Sequence, residues 1–261
     1  MINRRTFRRL RITILLLLLL ILGLNTWLSI VRVTDWQQPL WVVVYPINAD
    51  GRRDTEMYVE ALREEHFEDM EVFMEREALR YGIVLEHPLE VRLAPPIHNQ
   101  PPSVPENPSL LQNVLWSLQM RYWSWQNDSW GGPDPDIRIY MRLFSPTNNY
   151  VLAHSLGLQK GMIGLVNGFA SVDYQGRNNM VAMHELMHTL GATDKYDPLT
   201  NEPLWPEGYA HPHQSPLLPQ RQAEVMGGRM MQRNGFALMP KNLQQVLVGP
   251  QTAHEINWRQ R

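Results

Sequence analysis

Residues 178–194 read NNMVAMHELMHTLGATD, and this stretch carries the strongest structural signal in the chain. Its apolar residues recur at helical spacing, which predicts a helix with one face turned towards a core. His184 and His188 are four residues apart. The helix therefore places both imidazoles on one face, about 6 Å apart along its axis, where they can meet at one metal ion.

Glu185 lies beside the first of these histidines, where its carboxylate can reach a water molecule at the metal without binding the metal itself. This is the HExxH arrangement, in which two histidines bind Zn²⁺ and the glutamate acts as general base. Zinc lowers the pKa of its water towards about 7 and polarises a scissile carbonyl group. Glu185 then carries a proton from the water to the leaving amine.

Gly191 comes three residues after His188, and Asp194 comes three residues after Gly191. A glycine at this position can end the helix in a left-handed conformation and turn the chain back towards the histidines. The spacing therefore brings a carboxylate close to the expected metal site.

The full string HELMHTLGATD resembles HExxHxxGxxH/D, the signature of the metzincin clan of zinc peptidases, and its final aspartate resembles the snapalysin family. The resemblance implies His184, His188 and Asp194 as zinc ligands and Glu185 as the base. Metzincins also place a methionine in a turn beneath the metal. Residues 224–228 (EVMGG) look similar to that turn, which implies Met226 as its methionine.

The chain departs from the metzincin pattern after this turn, where the family often has a tyrosine. Tyr196 or Tyr209 are the alternatives for a hydroxyl that assists the carbonyl oxygen. The continuation of the motif through Asp197 also resembles uncharacterised, membrane-anchored bacterial proteins.

Four residues downstream compete with Asp194 for the place of third ligand. Glu207 lies near the distance at which a thermolysin-like site has its glutamate, although its surroundings are typical of a loop. The four competitors are Glu202, Glu207, His211 and His213. Asp194 is the preferred ligand because of its spacing.

The N-terminus combines a basic segment with a long uncharged one. Residues 1–11 contain five arginines, and residues 12–31 contain no charged side chain. Twenty helical residues span about 30 Å, which predicts a membrane anchor with its N-terminus in the cytoplasm. Residues 35–261 would then form a periplasmic or extracellular zinc peptidase domain. A cleaved signal peptide and a buried core helix are the alternatives.

Composition narrows the classes of function. The 261 residues carry a net charge of −2, which argues against a nucleic-acid-binding protein. The chain has no cysteine, so a metal must be held by histidine, aspartate or glutamate. Nothing in the sequence indicates the oligomeric state.

Apolar periodicity predicts a mixed α/β (α+β) domain of zincin type, with a mixed sheet, a motif helix and a long backing helix. A proline-rich loop covers residues 95–108, and Asn107-Pro108 predicts the start of a helix with a buried apolar face. A further helix is expected from about Pro240. The remaining elements are the long helix at Asp54–Tyr81 and strands at Leu40–Ile47, Leu89–Leu93, Ile137–Phe144 and Gly161–Phe169, the last of them expected at a sheet edge.

Two functions follow from these predictions. The first is a membrane-anchored zinc metallopeptidase that cleaves proteins or peptides outside the cytoplasm. The alternative is a catalytically silent binding module, tethered to the membrane and stabilised by its metal. The glutamate beside His184 favours the enzyme, because a purely structural metal site does not need it.

Overall fold

A computed structural model describes residues 4–105, 109–147, 155–158 and 162–258. It shows a mixed α/β fold, as predicted. The helices are α1 (Arg4–Thr34), α2 (Arg53–Ala61), α3 (Glu68–Arg80), α4 (Leu110–Gln126), α5 (Gln175–Thr189) and α6 (Pro250–Glu255). The strands are β1 (Leu40–Asn48), β2 (Leu89–Leu93), β3 (Ile137–Phe144), β4 (Leu156–Leu158), β5 (Ile163–Phe169), β6 (Ala223–Glu224), β7 (Met230–Met231), β8 (Ala237–Leu238) and β9 (Val246–Leu247).

The central sheet has five strands in the order β2-β1-β3-β5-β4. The first four are parallel, and the short β4 pairs antiparallel with β5 at the edge. The expectation that the strand ending at Phe169 lies at the sheet edge is wrong, because β4 covers it. His154, which the sequence leaves as a structural histidine, lies outside the described residues.

Each face of the sheet has its own core, which explains why β1 is apolar from Leu40 to Ile47. Val42 and Val44 point into the larger core, which contains the buried side chains of α3 and α5. Val43 and Tyr45 point to the opposite face, where Met120 of α4 packs. The sheet is thus covered by helices on both sides, and α5 holds the HExxH motif against one of them.

The long helix predicted at Asp54–Tyr81 is interrupted. Leu62 and Arg63 are extended, and a 3-10 turn at Glu64–Phe67 separates α2 from α3. The interruption buries Leu62 and Phe67 in the larger core. It also exposes the carbonyl oxygen of His66, which accepts hydrogen bonds from two side chains of α5.

Helix α4 differs from its prediction in its start and in its exposure. Its N-cap is Ser109, which forms a capping box with Gln112; Asn107-Pro108 was the wrong cap, and both residues lie outside the described part. The apolar face expected to be buried is turned to solvent, with Leu111 66% and Trp125 75% exposed. Met120 and Ser124 face the sheet instead, and Trp116 is buried on the same helix with its indole donating to the Pro102 carbonyl oxygen. The reason is that two apolar stripes compete on this helix, and only the second one meets the sheet.

The C-terminal helix begins at Pro250 and not near Pro240. Residues 243–247 form a 3-10 turn and the strand β9 instead, because β9 pairs with β6 next to the methionine turn. This pairing brings the chain that leads into α6 next to the methionine turn.

Helix α1 contains the predicted anchor, and its end is tied to the domain. Arg32 forms an ion pair with Asp136 at 3.2 Å, and the Trp36 indole donates to the carbonyl oxygen of Ile256 at 2.8 Å. Among the described residues, no helix combines the length and the apolar character needed to cross a membrane. The span predicted at residues 12–31 therefore finds no support there.

Two methionines that have similar sequence neighbours but opposite burial test the packing of α3 against the core. Met70 is fully buried in the larger core, whereas Met57 on α2 is 62% exposed. Met70→Ala should lower the free energy of unfolding by about 2–5 kcal/mol through lost burial and a cavity. Met57→Ala should change it by no more than about 0.5 kcal/mol. Urea unfolding of the full chain measures both, and equal losses would contradict the fold described here.

Candidate metal centre

Side-chain amides fix α5 to the sheet and to the turn before α3. The Asn178 oxygen accepts from the backbone N–H of Phe169 at 3.0 Å, and its nitrogen donates to the Phe169 carbonyl oxygen at 2.8 Å. Asn179 donates to the carbonyl oxygen of His66 at 2.6 Å and also bonds Asp69. These bonds set the rotation of the helix and so the direction of the two histidines, which follow about one and a half to three turns later.

The edge strand β4 lies directly against the motif. A Cβ atom at Gly157 would come within 2.5 Å of the His188 Cβ atom and 2.6 Å of the Glu185 carbonyl oxygen. Only glycine fits this approach. The edge of the sheet is thereby placed beside the carboxylate of Glu185.

The structure brings His184, His188 and Asp194 together. One ligand atom from each lies within 4.8 Å of the others, close enough to hold a metal ion. The Asp194 Oδ1 atom is 3.2 Å from His184 Nε2 and 3.1 Å from His188 Nε2. Gly191, with φ of 107°, makes the left-handed turn that returns Asp194 to the helix.

Backbone carbonyl groups orient both imidazoles. His184 Nδ1 lies 2.9 Å from the Val225 oxygen, and His188 Nδ1 lies 2.8 Å from the Ala192 oxygen. A carbonyl oxygen only accepts, so we assign the hydrogen to Nδ1 in each ring. In the neutral imidazoles, Nε2 then presents a lone pair towards the Asp194 carboxylate.

Three electron-pair donors facing one point fit a bound cation. Tetrahedral ligands about 2.0–2.1 Å from zinc lie about 3.3 Å from one another, close to the two distances observed here. Two imidazoles and one carboxylate are also a donor set that zinc accepts. The residues present therefore fit a zinc ion bound through two nitrogens and one oxygen.

The carboxylate of Glu185 is buried next to this group. Its Oε2 atom is buried and has no hydrogen-bond partner among the described residues. Burial raises the pKa of Glu185, the charges of His184 and His188 act in the opposite direction, and that of Asp194 adds to the rise. A buried carboxylate without a partner is costly unless a ligand or water satisfies it.

The loop that carries Asp194 is clamped by the C-terminal helix. Glu255 of α6 accepts from the Thr193 backbone at 2.9 Å and from the Lys195 ammonium group at 2.7 Å. Although burial acts to raise it, these hydrogen bonds hold the pKa of Glu255 below its ordinary value. Asp194 shifts in the same direction: burial acts to raise its pKa, but the two histidines beside its carboxylate outweigh this effect and lower it.

The methionine turn is built around the buried carboxylate of Glu224. This carboxylate accepts from the backbone N–H groups of Met226 at 2.6 Å, Gly227 at 2.8 Å and Gly249 at 3.0 Å, and from the Thr252 hydroxyl at 2.6 Å. Burial raises the pKa of Glu224, and these donors oppose the rise. One side chain therefore joins the turn to the start of α6.

Met226 is fully buried in the larger core, and the backbone of its turn contacts both halves of the ligand group. Val225 holds His184 through its carbonyl oxygen, and the Met226 carbonyl oxygen accepts from the Lys195 N–H at 3.0 Å. The turn therefore positions the motif helix and the Asp194 loop relative to one another.

A cleft of about 470 Å³ opens beside His184 and Glu185. Tyr196 lines it, with its ring centroid 6.1 Å from that of His184, whereas Tyr209 does not. Burial raises the pKa of Tyr196 to about 12, and the charges of Asp194 and Glu185 add to this effect. Arg229 acts in the opposite direction. The phenol is thus a hydrogen-bond donor at neutral pH.

The four competing ligands are not part of the metal-binding group found among the described residues. His211 and His213 line a separate open cavity of about 850 Å³. The segment 198–220 lies between the motif and the methionine turn and contains six prolines; it contributes Asn201 to the cleft.

Several supporting residues could not be identified from the sequence pattern. Glu224 was the one that the sequence came closest to indicating, because it is a lone acid inside the apolar run AEVM, where a charged side chain needs several partners. Glu255 and Asn178 gave no signal, since their partners are distant in sequence or belong to the backbone.

Comparison of the sequence with protein-family models and with curated proteins gives no match.

Asp194→Ala should weaken zinc binding by more than the roughly 10–100-fold that the loss of an outer hydrogen-bond partner costs, because it removes a direct ligand. Glu207→Ala, at the competing position, should keep the affinity of the unmodified chain. Titration of the full chain against a chelator, with zinc counted by elemental analysis, measures both. Unchanged zinc in Asp194→Ala would remove this residue from the site.

Glu224→Gln should lower the free energy of unfolding by about 2–4 kcal/mol, because an amide NH₂ group then faces backbone donors that need an acceptor. The zinc dissociation constant should rise about tenfold as the Val225 carbonyl loses its position. Glu75→Gln, at an exposed site on α3, serves as the control and should be neutral within about 0.5 kcal/mol. Chemical unfolding and chelator titration give the two values; equal stabilities would argue against this role.

Proposed function

We propose that this protein is a zinc-dependent metallopeptidase that hydrolyses peptide bonds in proteins or peptides. The observation that supports it most strongly is the buried Glu185 carboxylate, without a described partner, next to a group that can hold a metal. The placement at a membrane, with residues 35–261 outside the cytoplasm, remains a prediction from the basic N-terminus and the uncharged residues 12–31.

His184, His188 and Asp194 would hold the zinc ion through Nε2, Nε2 and Oδ1. When bound, zinc supplies a Lewis acid that makes water a better nucleophile at neutral pH and polarises the scissile carbonyl group. Three protein ligands leave a position open, which distinguishes catalytic sites from closed structural sites. Both imidazoles keep their orientation through the Val225 and Ala192 carbonyl oxygens.

Glu185 acts as the proton carrier in this proposal. Its raised pKa lies closer to neutral pH than that of an exposed glutamate, which favours both uptake and release of a proton. The carboxylate takes the proton of the attacking water and donates it to the amine nitrogen as the C–N bond breaks. In this proposal Tyr196, which lines the cleft, donates a hydrogen bond to the substrate carbonyl oxygen.

The alternative is a silent binding module in which the metal only stabilises the fold. That function would be served by the three ligands alone, and it gives no role to a buried Glu185 or to the cleft beside it. Mutation of Glu185 separates the two, since a module should work without this carboxylate.

Glu185→Gln should reduce peptide cleavage by at least about 100-fold, because the amide cannot accept the proton of the water. Zinc content should stay at that of the unmodified chain, since Glu185 is not a ligand. The assay uses the full zinc-loaded chain in detergent, a mixed peptide library and mass spectrometry. Glu202→Gln, at an exposed site outside the cleft, is the matched control. Wild-type cleavage by Glu185→Gln would sink the proposed mechanism.

A further inference from the structure

The described walls of the cleft carry an unequal charge. Its lining contains two arginines, Arg177 and Arg229, and one acid, Glu185, which is the proton carrier of the proposed reaction. The other polar lining residues are neutral, such as Ser155 and Asn167. A bound zinc ion would add further positive charge. The cleft thus presents cations to a peptide that lies in it.

Arg177 lies on the same helix as the histidines. It precedes His184 by seven residues, which is about two helical turns, so both side chains share one face about 10 Å apart. Its guanidinium group lies 5.5 Å from the ring centroid of Tyr174, which also lines the cleft. The stacked ring holds this arginine at the N-terminal end of the motif face.

Arg229 comes from a different part of the chain, directly after Gly227 and Gly228 of the methionine turn. Its guanidinium group makes a long contact of 3.5 Å with the Ala237 carbonyl oxygen. It lines the same cleft as His184 and Tyr196. The two arginines therefore reach the cleft from independent elements.

Arg177 and Arg229 differ from six other arginines in the described part of the chain, which have carboxylate partners. Neither Arg177 nor Arg229 forms an ion pair with a described acid. The paired arginines are Arg32, Arg52, Arg76, Arg80, Arg92 and Arg138. Two unpaired guanidinium groups in the wall of one cleft are suited to carboxylates that arrive with a ligand.

We propose that the cleft selects acidic peptides, with Arg177 and Arg229 binding aspartate or glutamate side chains near the scissile bond. The inference rests on the proposed peptidase function and names its substrate class. An extended peptide advances about 3.3 Å per residue, so Arg177 meets a side chain roughly three residues from the bond that is cleaved. Arg229 meets a second acidic side chain of the same peptide.

The test compares peptide pairs that differ only in glutamate against glutamine, placed at each of three positions on either side of the bond. All peptides are offered with amidated and with free C-termini. The full zinc-loaded chain should cleave the glutamate member about tenfold faster by kcat/KM at its preferred position. Arg177→Gln and Arg229→Gln should each lower this ratio roughly threefold, and added salt should lower it too.

Arg221→Gln is the matched control, because Arg221 is exposed and does not line the cleft; its ratio should stay unchanged. Equal cleavage of both members of every pair would overturn the acidic preference and leave the peptidase proposal standing. A preference that needs a free C-terminus would overturn it as well, since the terminal carboxylate would then be the group recognised. If neither member is cleaved at all, the proposed function fails and this inference fails with it.

Discussion

The Asp194 Oδ1 atom lies within 3.2 Å of the Nε2 atoms of both His184 and His188, while both Nδ1 hydrogens are committed to backbone carbonyl groups. Three electron-pair donors cannot converge in this way without a proton or a metal ion between them. Much of the surrounding structure serves to maintain this convergence. The constraint is mainly electrostatic, because three electron-pair donors repel one another and would move apart towards solvent if no proton or cation lay between them.

The fold meets this constraint from three directions. Amide side chains fix α5 to the sheet and to the 3-10 turn before α3, so its histidines point to one place. The clamp from Glu255 holds the Asp194 loop, and Glu224 holds the turn whose backbone contacts both. Each clamp joins α6 to a segment far from it in sequence. The C-terminal residues therefore belong to the candidate centre although they supply no ligand.

Local sequence patterns predicted the elements near the centre well. The four predicted strands and the motif helix are present, because alternation and helical spacing report burial directly. The spacing to Asp194 was also informative, since Gly191 turns the chain as its position indicates. The pattern failed where tertiary packing chooses between two local options. Leu62 leaves the helical path to become buried, and α4 turns Met120 rather than Leu111 towards the sheet. Hydrogen bonds between distant residues, such as those of Glu224 and Glu255, leave almost no local trace.

The most direct test of the central claim is to locate the metal itself. Crystals of the full chain grown with zinc, measured on both sides of the zinc absorption edge, give the ion's position from anomalous scattering. We expect one peak about 2.0–2.2 Å from His184 Nε2, His188 Nε2 and Asp194 Oδ1, with Glu185 beside it but not bound. A peak held by Glu207, His211 or His213, or no peak at the HExxH helix, would contradict this account.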